Sequence, residues 1–205
     1  MTTSAQLPPA ATGHLSLRDR TSRAVRAEVG AVGMRLFLEQ GFERTTVDQI
    51  AAAAGLSRTS FFRYFATKED VVLGSLEELG HRVLEALVAR PPQEPVWQSL
   101  RRAFDVVLQE VAALGDEGLR EARMLDDTPS LKTSQLGKQL TWQSLLLPVV
   151  ARRIGVTGET LDPRPRALVA AGLACLNAAI DSWNASEGLS DLPRLLDQAM
   201  SALTE

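Results

Sequence analysis

The run from Thr45 to Lys68, TTVDQIAAAAGLSRTSFFRYFATK, constrains the chain more than any other stretch. Its punctuation predicts two short helices joined by a tight turn. Thr46 can cap the free N–H groups of a first turn, and Gln49, three residues on, can reach back, the T-x-x-Q form of a capping box. Ile50, Ala53 and Ala54 fall on one helical face, and Ala51 is small where two helices would approach closely. Gly55 is the residue type that tolerates a left-handed conformation at a helix end. Leu56 anchors the turn, and Ser57 is a good N-cap for a second helix. That helix offers Arg58, Thr59, Ser60, Phe62, Arg63 and Tyr64 as outward groups and Phe61 and Phe65 as inward ones.

This is the spacing of a helix-turn-helix, with Ile50, Leu56 and Phe61 where the inter-helix core should be. The outward groups suit DNA. Arg58 can donate to a guanine edge or a phosphate, Thr59 and Ser60 can reach phosphates or bases, and the Tyr64 phenol can reach a phosphate oxygen. Phe62 offers an apolar ring to a sugar or a thymine methyl. The alternative is a helical hairpin whose polar residues are merely solvated, but a short helix rarely exposes two aromatics without a partner.

Residues 22–75 resemble the N-terminal domain of the TetR family of bacterial one-component transcription regulators. The resemblance is carried by Leu36-Phe37, Gly41-Phe42, Thr45-Thr46-Val47, Ile50-Ala51, Ala54-Gly55-Leu56-Ser57, Phe61-Phe62-Arg63-Tyr64-Phe65 and Thr67-Lys68-Glu69-Asp70. The FFRYF form and the later Trp spacing are similar to the mycofactocin-regulator-like group within it. The resemblance implies DNA contacts from Thr46, Ser57, Arg58, Thr59, Ser60, Phe62, Arg63 and Tyr64, and a phosphate contact from Lys68. For Lys68 the plain alternative is a solvated lysine.

The rest of the chain agrees with such a regulator. It has 205 residues, enough for one or two domains with a sizeable core. No apolar run approaches the ~18 residues of a membrane span. No signal-peptide core is evident, so a cytoplasmic protein is expected. One cysteine, Cys175, cannot form an internal disulfide, and two histidines, His14 and His81, lie far apart. No metal site and no cofactor are expected. The net charge of −3 is unevenly placed: nine Lys/Arg against seven Asp/Glu over 1–70, thirteen against eighteen over 71–205. A less acidic front on a more acidic body agrees with local DNA contact, as does chance.

In chain order, residues 1–17 read as a mobile tail rich in Thr, Ala and Pro. Arg18, Arg20, Arg23 and Arg26 follow, equally an arm for phosphates or the minor groove and a solvated helix start. Helix 1 is expected from about Ser22 to Gln40, with Val25, Val29, Val32, Gly33, Leu36 and Phe37 on one face. Gly30 and Gly33 each cost roughly 1 kcal/mol against alanine inside a helix. Thr67 should cap helix 4, with Glu69 and Asp70 in its first turn, and Pro91-Pro92 should end it near Ala89. The expected division is 1–17 tail, 18–70 DNA-binding domain and 71–205 effector-binding and dimerisation domain.

Beyond Pro95 five helices are expected, at about 96–114, 116–127, 129–154, 163–187 and 190–203. No G-x-S-x-G, Gly-rich phosphate loop or HExxH is present, so an enzyme is not expected. The small-residue run Ala167–Trp183 suits close helix approach. The resemblance implies that the last two long helices pair with those of a second subunit. It also implies an effector pocket, for which Trp97, Phe104, Arg123, Met124, Trp142 and Trp183 are the candidates, with Gln143 and Asn177 as polar companions. Each of these is also a natural core residue. Arg123 could meet an acidic head group, and Cys175 could be a redox sensor or an inert buried thiol.

The sequence thus predicts an all-α homodimeric repressor: an N-terminal helix-turn-helix domain, a larger helical C-terminal domain, a palindromic DNA operator and a small apolar or amphipathic effector. The alternative is a helical adaptor that uses the same fold for protein–protein contacts.

Overall fold

The computed structural model describes residues 17–156 and 161–204, the side chains of 18–20, 23, 133–136 and 138 excepted. The described residues form ten helices and no strand: α1 Leu17–Gln40, α2 Val47–Ala53, α3 Arg58–Phe62, α4 Glu69–Val88, α5 Val96–Ala103, α6 Asp105–Leu114, α7 Asp116–Asp127, α8 Pro129–Arg153, α9 Arg164–Ala185 and α10 Leu192–Ser201. The tail expected over 1–17 lies outside the described residues, except that Leu17 already opens α1. Helix 1 therefore starts five residues before the expected Ser22, and the backbone of the arginine-bearing arm is helical.

Two buried clusters organise the chain. One joins Val29 and Phe37 of α1 to Ile50, Ala51, Phe61, Phe65, Val71 and Val72. Ala53, expected on that face, is exposed; Ala51 takes the inward place. Gly33 is what lets α1 lie on α4: a Cβ there would stand 2.6 Å from Val71 Cγ1. Gly30, one turn earlier, has nothing within 4 Å of the same position. Leu125 and Leu131, from either side of the α7–α8 junction, complete this cluster. The later half of the chain thus supplies two buried side chains to the core of the helix-turn-helix half.

The second cluster runs through the rest of α4, α5, α6, α8, α9 and α10. The helix expected over 96–114 is two helices. The chain bends at Phe104, where the Val107 N–H donates to the Phe104 carbonyl three residues back at 2.9 Å. The bend sinks the Phe104 ring fully into the core, against Gly172 of α9. A polar knot closes the α4–α5 link. Arg90 and Glu94 pair at 2.6 Å, the Ser99 hydroxyl donates to Glu94 at 2.7 Å, and Arg153 at the end of α8 donates to the Arg90 carbonyl at 3.1 Å.

Candidate nucleic-acid interface and effector cavity

The helix-turn-helix is set by local chemistry. The Gln49 N–H donates to Thr46 Oγ1 at 3.2 Å and the Thr46 N–H to Gln49 Oε1 at 2.8 Å, a full capping box. Gly55 takes φ +66°, and the Leu56 N–H reaches back to the Ala51 carbonyl at 2.8 Å. Ser57 caps α3 by accepting from the Ser60 N–H at 3.1 Å. Phe61 is fully buried and Phe65 nearly so, which pins the five-residue α3 to the core and fixes its outer face.

That face carries Arg58, Thr59, Phe62 and Arg63, with Phe62 44% exposed. Arg58 Nη1 donates to both Asp48 oxygens at 2.7 Å, and its guanidinium lies 5.4 Å over the Phe62 ring. Arg63 donates to the Tyr64 hydroxyl at 2.9 Å. Ser60 and Tyr64, expected outward, are half-buried, Tyr64 because its ring packs on the core. The Thr46 and Ser57 hydroxyls stand exposed beside them, engaged in their caps.

Lys68 differs most from expectation. Its side chain is only 19% exposed. The ammonium donates to the Phe42 carbonyl at 2.9 Å, lies 4.2 Å from the Phe42 ring centroid and 3.7 Å from Glu43. It straps the start of α4 to the turn after α1. Thr67 accepts from the Asp70 N–H at 3.2 Å while Asp70 accepts from the Thr67 N–H at 3.1 Å. This reciprocal pair does the work expected of a Thr67 cap. Of the arginine arm, Arg26 is exposed and lies 5.8 Å over Phe65; the side chains of Arg18, Arg20 and Arg23 lie outside the described residues.

Between α4, α6, the α7–α8 junction and α9 is a cavity of about 350 Å³. Leu76, Leu79, Val107, Trp142, Leu173, Leu176 and Ile180 give it apolar walls; Asp126, Lys132, Gln139, Asn177 and Asp181 supply its polar groups. Trp142 lies against α4 because Gly80 has no side chain, and its indole N–H donates to the Leu76 carbonyl at 3.0 Å. Lys132 Nζ pairs with Asp126 at 2.6 Å. Burial, with Asp126 nearby, pushes the Asp181 carboxyl above its ordinary range.

Of the six candidate pocket residues only Trp142 lines this cavity, with Asn177 among the companions. Trp97 packs beside the core and donates to the Met200 carbonyl at 3.3 Å, holding α10. Phe104 and Trp183 are core residues, Trp183 packed on Gly188 where α9 ends. Arg123 stands 3.8 Å from Glu187, and Met124 packs on the helix-turn-helix cluster. Helical periodicity put each on an inward face, but several helices leave one inward face to the core and another to the cavity. The polar groups Asp126, Lys132 and Asp181 were missed because on one helix they read as solvated charges. Cys175 is buried, its thiol bonded to the Ala199 carbonyl at 3.4 Å and pushed up by desolvation, as an inert core thiol would be.

Among the described residues no group of His, Cys, Asp and Glu could hold a metal ion, and no helix is long and apolar enough to cross a membrane. Among the described residues, then, a capped helix-turn-helix is joined to a helical body that holds a lined cavity.

Comparison with known proteins places the chain among transcriptional regulators. Residues 31–74 match the model of bacterial regulatory proteins of the tetR family, and residues 94–205 match the MftR C-terminal domain. The transcriptional regulator TcmR of Streptomyces glaucescens is 33% identical over 195 residues, 91% of this chain and 86% of its own. The Mycobacterium tuberculosis protein named as mycofactocin biosynthesis regulator MftR is 26% identical over 86% of this chain and 88% of its own. The Thermus thermophilus repressor FadR, solved with lauroyl-CoA, is 26% identical, superposes with a TM-score of 0.55, and covers 88% of this chain and 93% of its own. The chain belongs to the TetR family of transcriptional regulators.

Proposed function

We propose that this regulator binds a palindromic DNA operator as a homodimer and represses transcription until an effector releases it. It acts by binding and not by catalysis, in the cytoplasm where its DNA lies. The observation that carries this reading is the outer face of α3. Phe62 stands exposed between Arg58 and Arg63 on a helix whose opposite face is locked into a core. Thr46, Ser57, Thr59, Ser60 and Tyr64 surround that face as further DNA contacts. Residues 18–70 form the DNA-binding part and 71–205 the effector-binding and dimerisation part. The dimer forms through α8 and α9, since α9 leaves Ala174, Ala178 and Ala185 exposed, a small-residue face suited to close helix approach. Two copies then present two α3 helices about one DNA turn, ~34–36 Å, apart.

The effector occupies the 350 Å³ cavity, a size within the ordinary range for small-molecule sites. It is apolar or amphipathic, as the lauroyl-CoA held by the similar repressor suggests. An acidic head group would meet Lys132 in place of Arg123. Displacing the Asp126–Lys132 end of the cavity disturbs Leu125 and Leu131, which are seated in the helix-turn-helix core. A differential affinity of ~1–3 kcal/mol between the two arrangements suffices for a useful response.

The test is affinity for the DNA upstream of the protein's own gene against random DNA, at two salt concentrations. Selective, salt-sensitive binding, released by lauroyl-CoA with its acyl tail in the cavity or by another amphiphile, is expected. Equal binding to both DNAs at moderate salt would overturn recognition of that site and favour an adaptor role for α3.

A further inference from the structure

A second and larger opening, of about 560 Å³, lies between α1, α4 and the α6–α7 hairpin and shares Leu76 and Leu79 of α4 with the cavity above. Ala27, Ala31 and Met34 of α1 form one apolar wall; Leu79 and Leu114 form the other. Gly30 opens the middle of the α1 wall, since a Cβ there would meet nothing within 4 Å.

Glu77, Glu110 and Glu121 line it together with Arg26, Arg82 and His81. Arg82 is already paired with Glu110 at 2.6 Å, and Arg26 lies over the Phe65 ring. Glu121 is half-buried on α7 and has no hydrogen bond or ion pair among the described residues. Burying a carboxyl without a partner is costly, and the deficit is met when a cation arrives.

We propose that this groove is a second ligand site, which takes a small organic cation with its ammonium on Glu121 and its apolar body between α1 and α4. Burial, and next Glu110, hold the Glu121 carboxyl above its ordinary range, which a cation would reverse. Glu121 and the α1 wall are no part of the cavity lined by Trp142, though Leu76 and Leu79 border both.

Fluorescence titration of the DNA-free protein with 1-naphthylmethylamine and with 1-naphthylacetate separates charge from ring. Wild type binds the amine about tenfold more tightly than the acetate, the scale of one charge-assisted hydrogen bond in a partly desolvated site. Glu121→Gln removes that preference. Gly30→Leu fills the groove and weakens both probes, with the fold checked by circular dichroism. Glu117→Gln, an exposed carboxylate on the same helix, leaves the titration unchanged. Equal affinity for amine and acetate, an amine preference that survives Glu121→Gln, or unaltered binding to folded Gly30→Leu would each overturn the proposal.

Discussion

Lys68 and Arg58 both looked like DNA ligands in the sequence, yet the fold treats them differently. Arg58 stays on the exposed face, its guanidinium held by Asp48. Such a pair in water contributes little to stability, so Arg58→Ala should unfold at nearly the wild-type urea concentration. If Arg58 reads a base, the same variant loses preference for operator over random DNA; an equal loss on both would make it a phosphate contact. Lys68 is strapped onto Phe42. Lys68→Ala is therefore expected to lose about 1–2 kcal/mol in urea melts, the scale of a partly buried charged hydrogen bond. Unchanged stability would contradict the strap. Glu94 sets an acid limit. Arg90, and next the Ser99 hydroxyl, hold its carboxyl at about 2 against an ordinary 4.5. A depressed carboxyl contributes stability in full above pH 4.5 and loses it as the pH falls toward 2. Melting temperature should fall through that window, and more shallowly in Glu94→Gln; parallel curves would remove Glu94 from the account.

At the scale of the element, two glycines one turn apart in α1 answer to opposite rules. Gly33→Ala drives a methyl into Val71 and should cost about 1–3 kcal/mol, the range for overpacking. Gly30→Ala faces open space and should gain about 1 kcal/mol in helix propensity. Matched denaturant melts decide both, and equal effects would refute the seam between α1 and α4. The sequence could say that both glycines were unfavourable in a helix, but not which of them had a neighbour. The same division holds elsewhere. The caps at Thr46 and Ser57 and the turn at Gly55 were legible because every partner lies within a few residues. The Asp48–Arg58 pair, the Lys68 strap and the bend at Phe104 were not, since each depends on what another element brings alongside. Trp97, Phe104, Trp142 and Trp183 share one inward pattern in the sequence; only packing tells the wall of a cavity from the interior of a core.

For the molecule as a whole, α4 belongs to both halves and borders two cavities, with Leu76 and Leu79 lining both. The feature with the widest reach is the pair Leu125 and Leu131, seated in the helix-turn-helix cluster from far along the chain. It bears on how freely the two halves can be parted. A cut at Pro91-Pro92 follows the visible seam in the sequence, yet it leaves the front fragment with two leucine-sized holes in its interior. A hybrid made by joining this front half to another regulator's body inherits the same vacancy unless the new body carries leucines on the matching corner. The front half is thus not a cartridge. Its core is completed by the α7–α8 corner, so recombination between relatives works only where that corner is shared.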